Sequence, residues 1–281
     1  MLGRVQVSAL FVVLAVGLAP QAARGDPALT YLESLKGSSD RYRAPSELDG
    51  RYTVALYVNA ATSGPWRQRM WVLQREAVGA PWRLAMWDEA HWKKAKLAEG
   101  EAPSYSWPVS TGRYYRGDPF SGPTPTGVFA LDERKWRYGR GYTAPGMIHT
   151  MYIDFHYDNG RRSGVAFHGT VPGRYRRLGT DDSHGCIRMK QANAAAVFDR
   201  ITGRDRTLAA DIRWGEVPRF WISERGQNRA GYTRDGTPHP VETLVADLSP
   251  IETAATTASD AGQPAVLTKT GFRAIAVIFE N

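Results

Sequence analysis

The chain contains one cysteine, Cys186, and it sits in the run Ser183-His184-Gly185-Cys186-Ile187-Arg188. Fifteen residues before this run begins stands His168, in Phe167-His168-Gly169-Thr170. A thiol attacks a carbonyl well only as the thiolate, and an imidazole in hydrogen-bond reach can take its proton. The resulting imidazolium then stabilises the sulfur anion. Gly185 permits a tight turn and close approach of a substrate to the neighbouring sulfur. The N–H groups of Gly185 and Cys186 could face an oxyanion as it develops. These parts suffice for acyl transfer through a thioester.

Other readings of the same residues stand beside this one. Cys186 could be an inert core thiol. His168, His184 and Cys186 could belong to a metal site completed by His149 or His156. His184 could brace the loop, and Arg188 could be a plain surface cation. His91 and His239 lie in no motif and read as surface residues. The arginines scattered between Arg113 and Arg188 read as a solvated face; as a functional patch they would attract carboxylates.

The elements that must position these residues are mostly strands. Val165-Ala166-Phe167 is a short apolar stretch that ends on His168, and the spacing predicts a strand over Gly164 to His168. Further strands are expected at Tyr52 to Ala60, Arg69 to Arg75, Trp82 to Trp87, Tyr105 to Thr111 and Val128 to Asp132, with Pro108 marking an edge. Met147 to His156 is expected to be another, joined to the His168 strand through the turn-like Asp158-Asn159-Gly160. Asp88 to Ser104 is polar and reads as a helix or a long loop. One clear helix is expected from Gln191 to Ile201, where Ala194, Val197, Phe198 and Ile201 share a face and Gly203 follows. A short helix is expected from Ala28 to Lys36, and a strand at Ala209 to Trp214. Ala274 to Phe279 reads as a strand in need of a partner.

Composition agrees with a turn-rich globular protein: 281 residues, 28 glycines, 17 prolines, 42% hydrophobic and 23% charged. A single cysteine excludes an internal disulfide framework and a cysteine-based zinc ribbon. The net charge is +8. Residues 1–25 read as a signal peptide: Arg4 gives a positive start, Ala9 to Ala19 an apolar run too short to span a bilayer, and Ala23-Arg24-Gly25 a cleavage site. No later stretch reads as a transmembrane helix. Nucleic acid is a poor partner for an exported chain without a recognisable binding motif.

With these residues in view, the chain resembles the L,D-transpeptidase catalytic domain family (YkuD/ErfK type). That family's pattern is a His, a spacer, then Ser/Thr-His-Gly-Cys, a hydrophobic residue and Asn or Arg. Here fourteen residues separate His168 from Ser183. Val109-Ser110-Thr111-Gly112 and Thr124-Pro125-Thr126-Gly127-Val128-Phe129 are similar to two further family segments, and all pieces occur in the family's order. The resemblance covers about residues 50–214. It implies a mainly β fold, an L,D-transpeptidase-type twisted β-sandwich with one main helix after the Cys.

The resemblance further implies that Cys186 is the nucleophile and His168 the general base and acid. Gly169 would orient the imidazole through its carbonyl, Ser183, His184 and Gly185 would shape the loop and oxyanion site, and Arg188 would help hold the donor peptide. The lead-in Met147 to Arg162 fits the family poorly, so no residues of a covering flap are assigned.

The implied enzyme is a periplasmic peptidoglycan L,D-transpeptidase without metal or organic cofactor. Its partners would be peptidoglycan stem peptides, with a second stem or a wall-anchored lipoprotein as the acceptor. An L,D-carboxypeptidase or a hydrolase of cross-links or anchors would use the same Cys/His pair, and a non-catalytic wall-binding module would retain only the domain. The expected organisation is a signal at 1–25, a polar leader at 26–49, the catalytic domain at 50–214 and a C-terminal extension at 215–281. The extension carries a low-complexity linker near 253–266.

Overall fold

The computed structural model describes residues 27–39, 41–85, 106–131, 146–154, 163–203, 209–218, 222–223 and 268–281. The expected signal, the polar stretch at 88–104, the turn at 158–160, the linker near 253–266 and His91, His156 and His239 lie outside these residues.

Helix α1 spans Pro27–Ser34. Strands β1 (Val54–Asn59) and β2 (Arg69–Gln74) pair antiparallel along their whole lengths. Two short strands, β3 (Arg83–Leu84) and β4 (Ser106–Pro108), both pair with β2. Pro108, which lacks a backbone donor, sits in β4, whose one pairing among the described residues is to β2, as an edge position requires. β5 is Gly127–Ala130. A second sheet of three strands follows in the order β6 (Met151–Tyr152), β7 (Ala166–Thr170) and β8 (Ile187–Lys190). Helix α2 (Gln191–Thr202) leaves β8 directly. The chain continues through α3 (Ala210–Arg213), β9 (Trp214–Pro218), β10 (Ile222–Ser223), β11 (Thr268–Phe272) and β12 (Ala274–Phe279). The fold is mainly β.

The last strand has two partners. β12 runs parallel to β1, with Val54 opposite Ala274 and Asn59 opposite Phe279, and antiparallel to β5 on its other side. The larger sheet therefore draws on residues on both sides of position 214. Every residue of β1 and of β12 is buried, which explains why both read as unbroken apolar runs and not as alternating ones.

Two apolar layers account for this. On one face, Val54, Leu56, Val58, Ala274, Ala276 and Ile278 meet Phe167, Ile187 and Met189 of the three-stranded sheet and Val197, Phe198 and Ile201 of α2. On the other face, Ala55, Tyr57, Ile275 and Val277 are covered by Ala28, Leu32 and Leu35 of the α1 region and by Tyr42. Ala28, Leu32, Leu35, Tyr42, Ala44 and Leu48, from the segment read from sequence as a polar leader, thus pack on the sheet. Tyr57 donates to Arg43 O at 2.8 Å and Trp82 Nε1 to Pro45 O at 2.8 Å, fastening that segment down.

Helix α2 buries the expected face. It stops where Gly203 adopts φ +77° and donates its N–H to Asp199 O. Two local expectations fail. Ala209 to Trp214 is not a strand: Ala210–Arg213 forms a helical turn, and strand begins only at Trp214, opposite Phe272. Ala, Asp and Arg carry no strand preference, and only Ile212 and Trp214 of the six favour β structure. Within the described part of Met147 to His156, ladder pairing covers Met151–Tyr152, with isolated bridges at Ile148 and from Ile153 to Leu131. His149, at φ +53°, interrupts extended backbone there.

Candidate active site

β7 and β8 are parallel neighbours, with Phe167 opposite Ile187 and His168 opposite Arg188. Side chains alternate across a strand. Phe167, Ile187 and Met189 point into the main core, so Ala166, His168 and Arg188 face the other way. Cys186 stands one residue before β8 and two before Arg188, and it belongs to a small cluster on that other face with Met147, Tyr152 and Ala166. The register therefore places His168 and Cys186 as diagonal neighbours on one face of a rigid strand pair. Both are largely buried, at 5% and 8% exposure.

The imidazole has a fixed tautomer. His168 Nδ1 lies 2.7 Å from Gly169 O. A carbonyl only accepts, so Nδ1 carries the proton and Nε2 keeps its lone pair. The thiol donates to Gly164 O at 3.4 Å.

The loop before Cys186 is held by its own hydroxyl and by two segments from elsewhere. Ser183, fully buried, donates its Oγ–H to Cys186 O and accepts from Gly185 N–H at 3.1 Å. This departs from the sequence-based picture of the oxyanion site: the Gly185 N–H is turned back on Ser183. Gly185 itself has φ +134°, a conformation reserved for glycine.

Val109-Ser110-Thr111-Gly112 runs alongside. Ser110 and Arg188 exchange both backbone hydrogen bonds at 2.9 Å, and Ser183 N–H donates to Thr111 O at 2.9 Å. Gly112 comes so close that a Cβ there would overlap Gly122 O and the Gly185 backbone. Thr124 closes the arrangement. Its Oγ1 accepts from Gly112 N–H at 2.8 Å and donates to Gly185 O at 2.9 Å. Thus the two segments noticed in the sequence meet at the cysteine loop, and Thr124 joins them.

His184 is held by a separate set of partners. It stacks on Tyr115 with ring centroids 4.4 Å apart. Its Nε2 is 3.2 Å from Asp118 Oδ2 and its Nδ1 is 3.5 Å from Arg188 Nη2. Arginine only donates, so Nδ1 accepts and Nε2–H points at Asp118. Arg188 Nη1 also donates to Asp182 O at 2.6 Å. The Asp182 carboxylate in turn lies 3.7 Å from Arg113 and 3.5 Å from Arg174.

Burial pulls the Arg188 guanidinium below its ordinary value and the Arg174 cation adds to that, while Cys186, Tyr115 and Asp182 act in the opposite sense. Arginine stays protonated regardless, so a fixed cation stands beside the sulfur. Sequence reading gave no role to Asp118, Tyr115 or Asp182, because nothing in their spacing marks them as neighbours of His184. His149 packs edge-on against Phe198 at 5.7 Å. Among the described residues no group of three or more His, Cys, Asp or Glu side chains converges as metal ligands would.

A family model described as "L,D-transpeptidase catalytic domain" matches residues 88–241. Three solved structures are similar to about half of the chain. One is an LD transpeptidase in complex with imipenem, at 17% identity over 53% of this chain and 55% of that one, with a TM-score of 0.29. The second is an L,D-transpeptidase from Mycobacterium smegmatis, at 19% identity over 53% and 54%, with a TM-score of 0.28. The third is L,D-transpeptidase 3 from Mycobacterium tuberculosis, at 16% identity over 53% and 57%, with a TM-score of 0.29. The chain spans little more than half the length of each of these proteins. No curated protein matches it. No helix among the described residues is long and apolar enough to cross a membrane.

Proposed function

This chain belongs to the L,D-transpeptidase catalytic domain family, and we propose that it is an exported, periplasmic peptidoglycan L,D-transpeptidase working through Cys186 and His168. The observation that carries this reading is the shared sheet face of the two residues, with Nδ1–H of His168 committed to Gly169 O. That commitment leaves Nε2 as the base.

The Cys186 thiol gives its proton to His168 Nε2, and the thiolate attacks the carbonyl of the third residue of a tetrapeptide stem, commonly meso-diaminopimelate. The C–S bond forms, and the C–N bond to the terminal D-Ala breaks. The proton on Nε2 passes to the departing amine. A thioester remains. An amine, from a second stem or a wall-anchored lipoprotein, attacks it and loses a proton to Nε2. The C–S bond breaks and Cys186 recovers its proton. One amide is exchanged for another, with no net change in protons and no cofactor. Arg188, beside the sulfur, favours the thiolate and helps hold the donor peptide.

The test is incubation of the purified protein with tetrapeptide muropeptides, read by mass spectrometry for D-Ala release and new cross-links. Both should vanish in Cys186→Ala. Undiminished activity in that variant sinks the scheme. Products in which water has replaced the amine would instead assign a carboxypeptidase or a cross-link hydrolase. A carbapenem should add its mass to the native protein and not to Cys186→Ala.

A further inference from the structure

Gln191, the first residue of α2, lies outside every motif noted in the sequence, yet its side chain ends against the peptide that orients His168. A Cβ on Gly169 would overlap the Gln191 carboxamide, so the amide lies flat against the Gly169 Cα. Its Nε2 donates to Gly146 O at 2.6 Å, which fixes which end of the amide is nitrogen. Its Oε1 is buried with no hydrogen-bond partner. The backbone N–H of Gln191 donates to Tyr175 OH at 3.2 Å.

From Gly146 a chain of bonds leads back to the imidazole. Ile148 N–H donates to the same Gly146 O at 2.8 Å, and Gly169 N–H donates to Ile148 O at 2.9 Å. Gly169 O accepts from His168 Nδ1. The carboxamide thus grips Gly169 from two sides, by direct packing and through the 146–148 turn. A buried, unpaired amide oxygen is a cost that packing alone does not require, since an apolar side chain of the same length would fill the space.

We infer that Gln191 is a positioning residue that locks the Gly169 peptide, and through it the tautomer and aim of His168. The inference rests on the Cys186/His168 reading above and adds a residue to it. It also gives a reason for glycine at 169: any side chain there would displace the clamp. Among the described residues, the titratable and charged groups on or beside the same sheet face include Cys186, Arg188 and Lys190 from the β8 side and Tyr152 and the buried Asp154 from the β6 side.

The experiment uses the full chain and needs no natural substrate. The rate of Cys186 alkylation by iodoacetamide is measured from pH 5 to 10 for the native protein, His168→Ala, Gln191→Met, Gly169→Ala and the double variant Gly169→Ala/Gln191→Met. Thermal unfolding is recorded for each. In the native protein the profile carries an inflection set by the Cys186/His168 pair, which His168→Ala removes. Gln191→Met keeps the volume and drops the bond to Gly146 O. It should move the inflection up by about one unit, a roughly tenfold slower reaction below it, with the alkaline plateau unchanged. Gly169→Ala should do the same, and the double variant should be no worse than either single one, because both break one link.

A native profile in both single variants, where His168→Ala has shifted, overturns the role of Gln191 and leaves the catalytic pair standing. A profile that His168→Ala does not shift overturns the pair, and the clamp with it. A loss confined to the plateau, or matched by a collapse in thermal stability, assigns Gln191 a structural role only and also overturns the inference. If Gln191→Met fails to fold, Gly169→Ala gives the same decision.

Discussion

Thr124 offers a sharp test of how the cysteine loop is held. One hydroxyl, on a side chain at 3% exposure, serves two backbone groups: it accepts from the partly buried Gly112 N–H at 2.8 Å and donates to the buried Gly185 O at 2.9 Å. Thr124→Val keeps the shape and removes both bonds. Leaving either group without its partner costs about 1–3 kcal/mol. The expected loss is therefore roughly 2–6 kcal/mol, or about 4–24 °C in the unfolding midpoint of a chain this size. Thr124→Ser keeps both bonds and gives up one methyl, for about 1 kcal/mol. Because Gly185 precedes Cys186, the Val variant should also alkylate more slowly at pH 7, whereas the Ser variant should not. Urea unfolding followed by fluorescence gives the stabilities. A Val variant within about 0.5 kcal/mol of native would refute the bridge, since no rearrangement of an isosteric side chain restores a hydrogen bond to either glycine.

Three further outcomes follow from the same structure. Gly112→Ala should cost more than about 3 kcal/mol or yield insoluble protein, because the new methyl meets only backbone, at Gly122 and Gly185, which cannot rotate away; a soluble variant with native unfolding counts against the packing. The Asp49 carboxyl is held below its ordinary value, chiefly by its paired hydrogen bonds from the Arg51 side chain at 2.9 Å. A lowered folded value means stability present above the unfolded value near pH 4 and lost as pH falls through the folded one; Asp49→Asn should therefore be less stable than native at pH 7, by under about 1 kcal/mol for so exposed a pair, and the difference should shrink as pH falls below the unfolded value. A chain ending at residue 214 should not fold: β12 contributes Ile275, Val277, Ile278 and Phe279 to the core, roughly 6–12 kcal/mol of burial, comparable with the whole stability of a domain. Circular dichroism of the truncated chain would settle it.

Which parts could be read from sequence depends on what the chemistry demands of residue type. A sulfur nucleophile and its base admit few substitutes, and Gly185 must be glycine at φ +134°, so Ser183 to Arg188 and His168 stood out. Packing demands only apolarity. Ala274 to Phe279 was legible as a strand, but its place between β1 and β5 was not, because a parallel pairing of Val54 with Ala274 leaves no turn between the partners to mark it. The helix at Gln191 was legible from its apolar face, while the clamp made by its first side chain was not, since nothing in the pattern of a helix start asks for glutamine there.

The direction of a single N–H shows the limit most clearly. The sequence Ser-His-Gly-Cys permits the Gly185 N–H to face a substrate or to turn back on Ser183 Oγ. Thr124 and Gly112, sixty-one and seventy-three positions earlier, hold Gly185 from the other side, the first by a bond to its carbonyl and the second by packing against its Cα and N. A local motif names the groups that react, but distant backbone decides where they point. The substitutions at Thr124 and Gln191 therefore probe the proposed chemistry without touching either of the residues that would perform it.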